Sequence, residues 1–142
     1  MGKKIWIGFV VTYIITEVLD YLINGVLLGP TYDWLMRSFP GLYRPEGMKI
    51  YIFFITNIFF SFFFVYIFSR GYEGKGVLEG VRYGLYIALM VTLPAAYAEY
   101  AMHPLPYSFG LKWFLCGTAE YMIAGAVLAM IFGSARRPAP AS

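Results

Sequence analysis

Acidic and amide side chains recur inside the apolar stretches of this sequence, where a charged group needs a specific partner. Glu17, Asp20 and Asn24 follow one another at spacings of three and four residues, which places all three on one face of a helix. A charged side chain at the centre of a bilayer costs about 2.5 to 3.5 kcal/mol on insertion scales. We therefore expect these groups to face the interior of the protein.

More polar residues lie in the later apolar stretches. Asn57 is near the middle of the second stretch, Glu99 and His103 end the third, and Glu120 lies within the fourth. At a helical rise of about 1.5 Å per residue, Asp20 and Glu120 each lie about 12 Å from the outer end of their helix. No Lys or Arg is expected at that depth. Unless Lys112 or His103 reaches inward to form an ion pair, the acids must be protonated, or must bind a cation or water.

Three hypotheses account for these acids. In the first, protonated carboxyls hydrogen-bond to amides and hydroxyls of neighbouring helices and hold the bundle together. The second is a proton or cation path with Glu17, Asp20 and Glu120 as relay groups. The third is a metal or catalytic site that opens outward and is built from Asp20, Glu99, His103 and Glu120, since carboxylates and histidine can ligate a metal in a helical bundle. The sequence identifies no catalytic residue, metal or cofactor.

The composition excludes an ordinary water-soluble domain. Of 142 residues, 60% are hydrophobic and 13% are charged, whereas soluble domains carry about 25% charged residues. The mean hydropathy of +0.64 also excludes a disordered chain. A net charge of +3 without a basic stripe gives no indication of nucleic-acid binding. The single cysteine, Cys116, lies in an apolar run and is expected to be a small buried hydrophobic residue.

Four apolar stretches are long enough to span a bilayer as helices, at about residues 5–28, 50–68, 77–97 and 109–132. The predicted fold is an all-α integral membrane bundle of four transmembrane helices. Residues 1–133 form its single domain, and residues 134–142 are predicted to be a disordered cytoplasmic tail. Between the first two spans, the loop at residues 31–49 mixes aromatic and charged side chains. It is expected to lie flat at the outer interface, including a short amphipathic helix, or to be a lid over a cavity.

The basic residues predict the orientation. Seven Lys and Arg residues lie on the side of the termini and four on the other side, which favours a multi-pass protein of the inner cell membrane with both termini in the cytoplasm.

Small residues recur every four positions along the third span, beginning with Gly76, Gly80 and Gly84, and the fourth span offers a partner stripe that includes Gly125 and Gly133. Such stripes let helix backbones approach closely. We expect packing within the chain, and the alternative is a seam with a second copy or another subunit.

The sequence resembles a set of small four-helix bacterial membrane proteins of uncharacterised function. The resemblance is carried by the end of the first span, VLLGPTYDW at residues 26–34, and by GVRYG at residues 80–84. Lys112 and Trp113 near the start of the fourth span and AGA at residues 124–126 extend it. It implies the four-helix fold and carries over no catalytic residue.

The function expected from these patterns is that of a small, non-enzymatic membrane protein, an accessory subunit or homo-oligomer packed through its glycine stripes. The first alternative is a proton- or cation-coupled transporter or channel that uses the intramembrane carboxylates. The second is a membrane enzyme or apolar-ligand binder with an outward-opening pocket. The expected partners are the lipid bilayer and a second copy or a larger membrane complex.

Overall fold

The computed structural model describes residues 2–133, so the predicted disordered tail lies outside the described residues. Over this range the chain is all-α, with five α-helices, a π-helical segment and no strand. The elements are α1 (Gly2–Asp20), the π segment (Tyr21–Leu27), α2 (Gly29–Ser38), α3 (Ile50–Gly71), α4 (Val77–Met102) and α5 (Tyr107–Phe132).

Four segments of the chain are long and apolar enough to cross a membrane. They are Gly2–Leu27, Ile50–Gly71, Val77–Met102 and Tyr107–Phe132. The predicted all-α chain with four apolar spans is therefore confirmed. The third span runs to Met102, beyond the expected end near residue 97, and His103 then adopts an extended backbone. The residue before a proline is disfavoured in a helix, and Pro104 follows His103.

The short helix α2 lies between the first two spans. Pro30 occupies its first turn, where a missing backbone N–H costs nothing. Leu35 of α2 is completely buried and packs with Leu105 and Phe109. The side chain of Leu35 therefore fastens α2 to the start of α5.

The helices α4 and α5 form the closest backbone contact of the bundle. A Cβ atom added to Gly80 would lie 2.1 Å from the Gly125 carbonyl oxygen, and one added to Gly84 would lie 2.1 Å from the Tyr121 carbonyl oxygen. No side chain fits at either position without moving a helix. The central part of the glycine stripe therefore packs within the chain.

Gly76 and Gly133, which we expected in the stripes of the third and fourth spans, instead lie at helix ends. Gly76 precedes α4 with a φ of +97°, and Gly133 follows α5 with a φ of +75°. Backbones of this kind favour glycine because it has no Cβ. A Cβ added to Gly133 would meet no atom within 4 Å. These two glycines therefore lie where a helix begins or ends. A spacing of four residues in the sequence does not distinguish a glycine at a helix end from one that packs against another helix.

Aromatic side chains of α3 fill the bundle near the end that carries the termini. Phe64 and Phe68 are buried there with Leu128 of α5, and the Tyr83 hydroxyl of α4 donates to the Phe64 carbonyl oxygen at 2.6 Å. Other aromatic side chains of α3, including Phe53 and Phe59, are exposed. This half of the interior is consequently apolar and closely filled.

Candidate functional site

Two carboxyl groups from different helices meet in the other half of the bundle. Asp20 is the last residue of α1, and Glu120 lies in the middle of α5. Their side chains are within hydrogen-bonding reach of each other. Glu120 is only 4% exposed, whereas Asp20 reaches the surface of the bundle. The helical rise predicted similar depths for Asp20 and Glu120, and in the structure their carboxyl groups lie next to each other.

A π-helical segment begins immediately after Asp20. Within it, the Asn24 amide nitrogen donates to the Asp20 carbonyl oxygen at 3.2 Å. Single π-helical turns occur frequently at functional sites, because the extra residue in the turn reorients side chains. The sequence pattern predicted that Asn24 lies on the same side as Asp20, but it did not indicate that the helix becomes π-helical there.

A small cavity of about 80 Å³ lies beside the two carboxyls. Its polar lining includes Asp20, Asn24, Thr92 of α4, and Glu120 and Tyr121 of α5. With these polar groups in its wall, a cavity of this size can hold a few water molecules or a small cation with part of its water shell.

Gly117 of α5 also lines the cavity. A Cβ added there would lie 2.7 Å from Cγ2 of Thr92, so a larger residue would force Thr92 to move. Nothing in the sequence connected Gly117 with the acids.

Glu17 has a different partner from the other two acids. The Asn57 amide nitrogen of α3 donates to Glu17 Oε1 at 2.8 Å and to Thr16 Oγ1 at 2.9 Å. Ser61 donates in turn to Asn57 Oδ1 at 3.4 Å. Glu17 therefore belongs to a hydrogen-bonded contact between α1 and α3, as the structural hypothesis describes for this residue.

Glu99 and His103 lie at the end of α4 and pair with each other. His103 Nδ1 is 2.9 Å from Glu99 Oε2, and neither residue lines the cavity. Among residues 2–133, no group of three or more His, Cys, Asp and Glu side chains is close enough to hold a metal ion. The four residues of the hypothetical metal or catalytic site are therefore not brought together.

Tyr32 of α2 connects the short helix to the site. Its hydroxyl donates to Asn24 Oδ1 at 2.9 Å, and its ring packs edge-on against Phe109 with centroids 5.3 Å apart. Burial, with the nearby charges of Tyr43 and Asp20 adding to it, raises the pKa of Tyr32 to about 12. The hydroxyl is therefore a stable donor at neutral pH. Sequence reasoning did not identify Tyr32, although the lid hypothesis for residues 31–49 covered it.

No protein-family model matches this chain, and comparisons with curated proteins and with solved structures find no match either. The resemblance to small four-helix bacterial membrane proteins stays a prediction.

Proposed function

We propose that this chain is a multi-pass membrane protein that binds a proton or a small cation at the Asp20–Glu120 pair and couples that binding to transport. The observation that carries the proposal is the contact of two carboxyls from different helices, both of which line one small cavity. In the described part of the chain, no Lys or Arg forms an ion pair with either carboxyl. Ionisable residues inside membrane spans commonly mark ion or proton pathways.

The chemistry of the pair supports binding of a positive charge. Two ionised carboxyls at hydrogen-bonding distance repel each other, so the pair needs a shared proton or a bound cation. Asp20 reaches the surface of the bundle, whereas Glu120 is buried. This unequal exposure gives an incoming charge a first contact at Asp20 and a second at Glu120.

The apolar half of the bundle favours a transporter over an open channel. The buried cluster that includes Phe64, Val65 and Leu128 fills the interior on the side of the termini. A continuous proton or ion path would need polar groups or water through that cluster. The proposed transport therefore requires a second conformation in which the carboxyl pair opens to the other side.

The proposed location is the inner cell membrane, with both termini in the cytoplasm. The four apolar spans and the excess of basic residues on the side of the termini support it. In this orientation the Asp20–Glu120 pair lies in the outer half of the bilayer.

Proton uptake into liposomes tests the function. We expect the reconstituted protein to acidify the lumen when a potassium diffusion potential is imposed, as reported by an internal pH-sensitive dye. Asp20→Asn and Glu120→Gln remove the acidic groups with little change in shape. Each should lower the rate by about a hundredfold, the smaller end of what a positioned proton-transfer group contributes. The same series with external Na⁺ or K⁺ distinguishes a cation from a proton.

Glu46→Gln is the matched control, since Glu46 is exposed and pairs only with Arg44. It should transport at the parent rate. Circular dichroism and size-exclusion profiles identical to the parent would show that the two site variants are folded. Parent-like transport by folded Glu120→Gln, or no transport by the parent above empty liposomes, would contradict the proposal.

The accessory-subunit and homo-oligomer hypotheses stay predictions. Their sequence argument was the glycine stripe, whose central residues Gly80, Gly84 and Gly125 already pack against each other's helices within the chain. An oligomer would therefore have to use a different surface.

A further inference from the structure

A second, larger cavity lies at the opposite end of the bundle, between α3 and α4. It is a groove of about 480 Å³ near the loop that joins these helices. One wall carries Leu78, Arg82 and Tyr86, which are spaced four residues apart and so lie on one face of α4. The other wall carries Ile67 and Gly71 of α3. A Cβ added to Gly71 would meet no atom within 4 Å, so the groove is open there.

The polar groups of the groove are concentrated at its loop end. Glu79 accepts the backbone N–H groups of Glu73 and Lys75 at 2.6 and 2.8 Å. Glu73 forms an ion pair with Lys75, and the hydrogen bond between them lowers the pKa of Glu73 and raises that of Lys75. The charges of Glu73 and Lys75 therefore offset each other, and the Glu79 carboxylate is held by two backbone N–H groups.

Arg82 is the remaining charged residue of the groove. It is exposed and forms no ion pair with any other residue in the range 2–133. Further from the loop the walls are apolar or aromatic, with Ile67 49% and Tyr86 62% exposed. The groove therefore has, at its loop end, one guanidinium group that is in no ion pair among the described residues, and apolar walls toward the middle of the two spans.

We propose that this groove binds a phospholipid with an anionic headgroup, its phosphate on Arg82 and an acyl chain along Ile67 and Tyr86. The polarity gradient of the groove matches that of a lipid whose headgroup lies at the bilayer surface. In the proposed orientation this end faces the cytoplasm, where anionic lipids attract basic residues. The inference rests on the membrane location in the proposed function, and it is independent of transport by the Asp20–Glu120 pair.

Native mass spectrometry of the detergent-purified chain tests the binding. The protein is titrated with an equimolar mixture of phosphatidylglycerol and phosphatidylcholine of equal acyl chain length. We expect bound phosphatidylglycerol to exceed phosphatidylcholine. Arg82→Gln should lower that preference about fivefold, which corresponds to the roughly 1 kcal/mol expected for one basic residue near an anionic surface. Arg37→Gln is the matched control, because Arg37 is also exposed and without an ion pair in the described chain but lies on α2.

Gly71→Phe fills the groove without changing any charge and should reduce the amount of bound phosphatidylglycerol. Gly71 is helical and does not have a positive φ, so the substitution adds no backbone strain. Gly29→Phe is the control and should leave the binding unchanged. A Cβ at Gly29 also meets no atom within 4 Å, but Gly29 does not line the groove. An unchanged preference in Arg82→Gln, or unchanged binding in Gly71→Phe, would overturn the inference. Extraction of the parent from cell membranes by alkaline carbonate would instead contradict the membrane location itself, on which both proposals depend.

Discussion

A side-chain hydrogen bond between Tyr32 and Asn24 connects α2 to the π-helical segment. The Tyr32 hydroxyl donates to Asn24 Oδ1, and the Asn24 amide nitrogen donates to the Asp20 carbonyl oxygen. A chain of hydrogen bonds thus runs from α2 to the residue that carries one of the two paired carboxyls. Since a buried hydroxyl that loses its partner is costly, this contact fixes α2 beside the site.

Tyr32→Phe should lower the free energy of unfolding by about 1 kcal/mol at neutral pH, the usual contribution of one hydrogen bond. Unfolding in mixed micelles by increasing mole fractions of dodecyl sulfate, followed by circular dichroism, measures the change. The control is Tyr21→Phe, because Tyr21 is 69% exposed. Equal stabilities of parent and Tyr32→Phe would show that the contact contributes nothing.

The free energies of unfolding of the parent and of Tyr32→Phe should depend differently on pH above neutrality. Burial raises the pKa of Tyr32 from 10.0 to about 12 in the folded chain. The stability that Tyr32 contributes is therefore complete below pH 10 and is lost as the pH rises through about 12. We expect the difference in unfolding free energy between parent and Tyr32→Phe to shrink over this interval. A difference that stays constant up to pH 12 would argue against a buried, protonated hydroxyl.

At the scale of elements, the contact between α4 and α5 depends on the absence of side chains. Gly80 and Gly125 are mutual neighbours, since a Cβ on either one would lie 2.1 Å from the carbonyl oxygen of the other. These two helices also carry the cavity residues Thr92 and Glu120. Their separation therefore sets the width of the site as well as the stability of the bundle.

Gly80→Ala should destabilise the chain by about 1 to 3 kcal/mol, the usual cost of overpacking an interior. Gly125→Ala should do the same, and the double variant should cost less than the sum, because the first substitution already separates the helices. Thermal unfolding in detergent measures all three. Gly29→Ala is the control, since a Cβ there meets nothing within 4 Å. Strict additivity of the two changes would contradict a shared contact.

At the scale of the whole molecule, the two ends of the bundle differ. One end contains the carboxyl pair, the small polar cavity and α2, and the other contains the apolar aromatic cluster and the Arg82 groove. A protein whose two ends differ in this way can transport in one direction only if all copies are inserted in the same orientation. The excess of basic residues near the termini favours one orientation, since loops rich in Lys and Arg stay on the cytoplasmic side.

The proposed orientation predicts which positions an impermeant thiol reagent can reach. In a Cys116→Ala background, Ser38→Cys on α2 should react in intact cells. Lys3→Cys near the N-terminus should react only after the membrane is permeabilised. Mass shifts of the purified variants report the labelling. Labelling of Lys3→Cys in intact cells would place the N-terminus outside and reverse the proposed orientation.

The sequence alone determined the features that depend on local properties of the chain. Long apolar runs predict helices because backbone groups away from water must bond within their own segment, and the four spans were found accordingly. The depth of a residue follows from the helical rise, so Asp20 and Glu120 were predicted at the same level. The extended backbone at His103 followed from Pro104.

Only the tertiary structure decided which of these groups meet. The four-residue spacing of Gly76, Gly80 and Gly84 could not show that the first of them ends a helix. Glu17 and Asp20 are three residues apart, yet one contacts Asn57 of α3 and the other contacts Glu120 of α5. Such pairings depend on the rotation of each helix about its axis. That rotation arises from packing against distant segments, and no local pattern of residues records it.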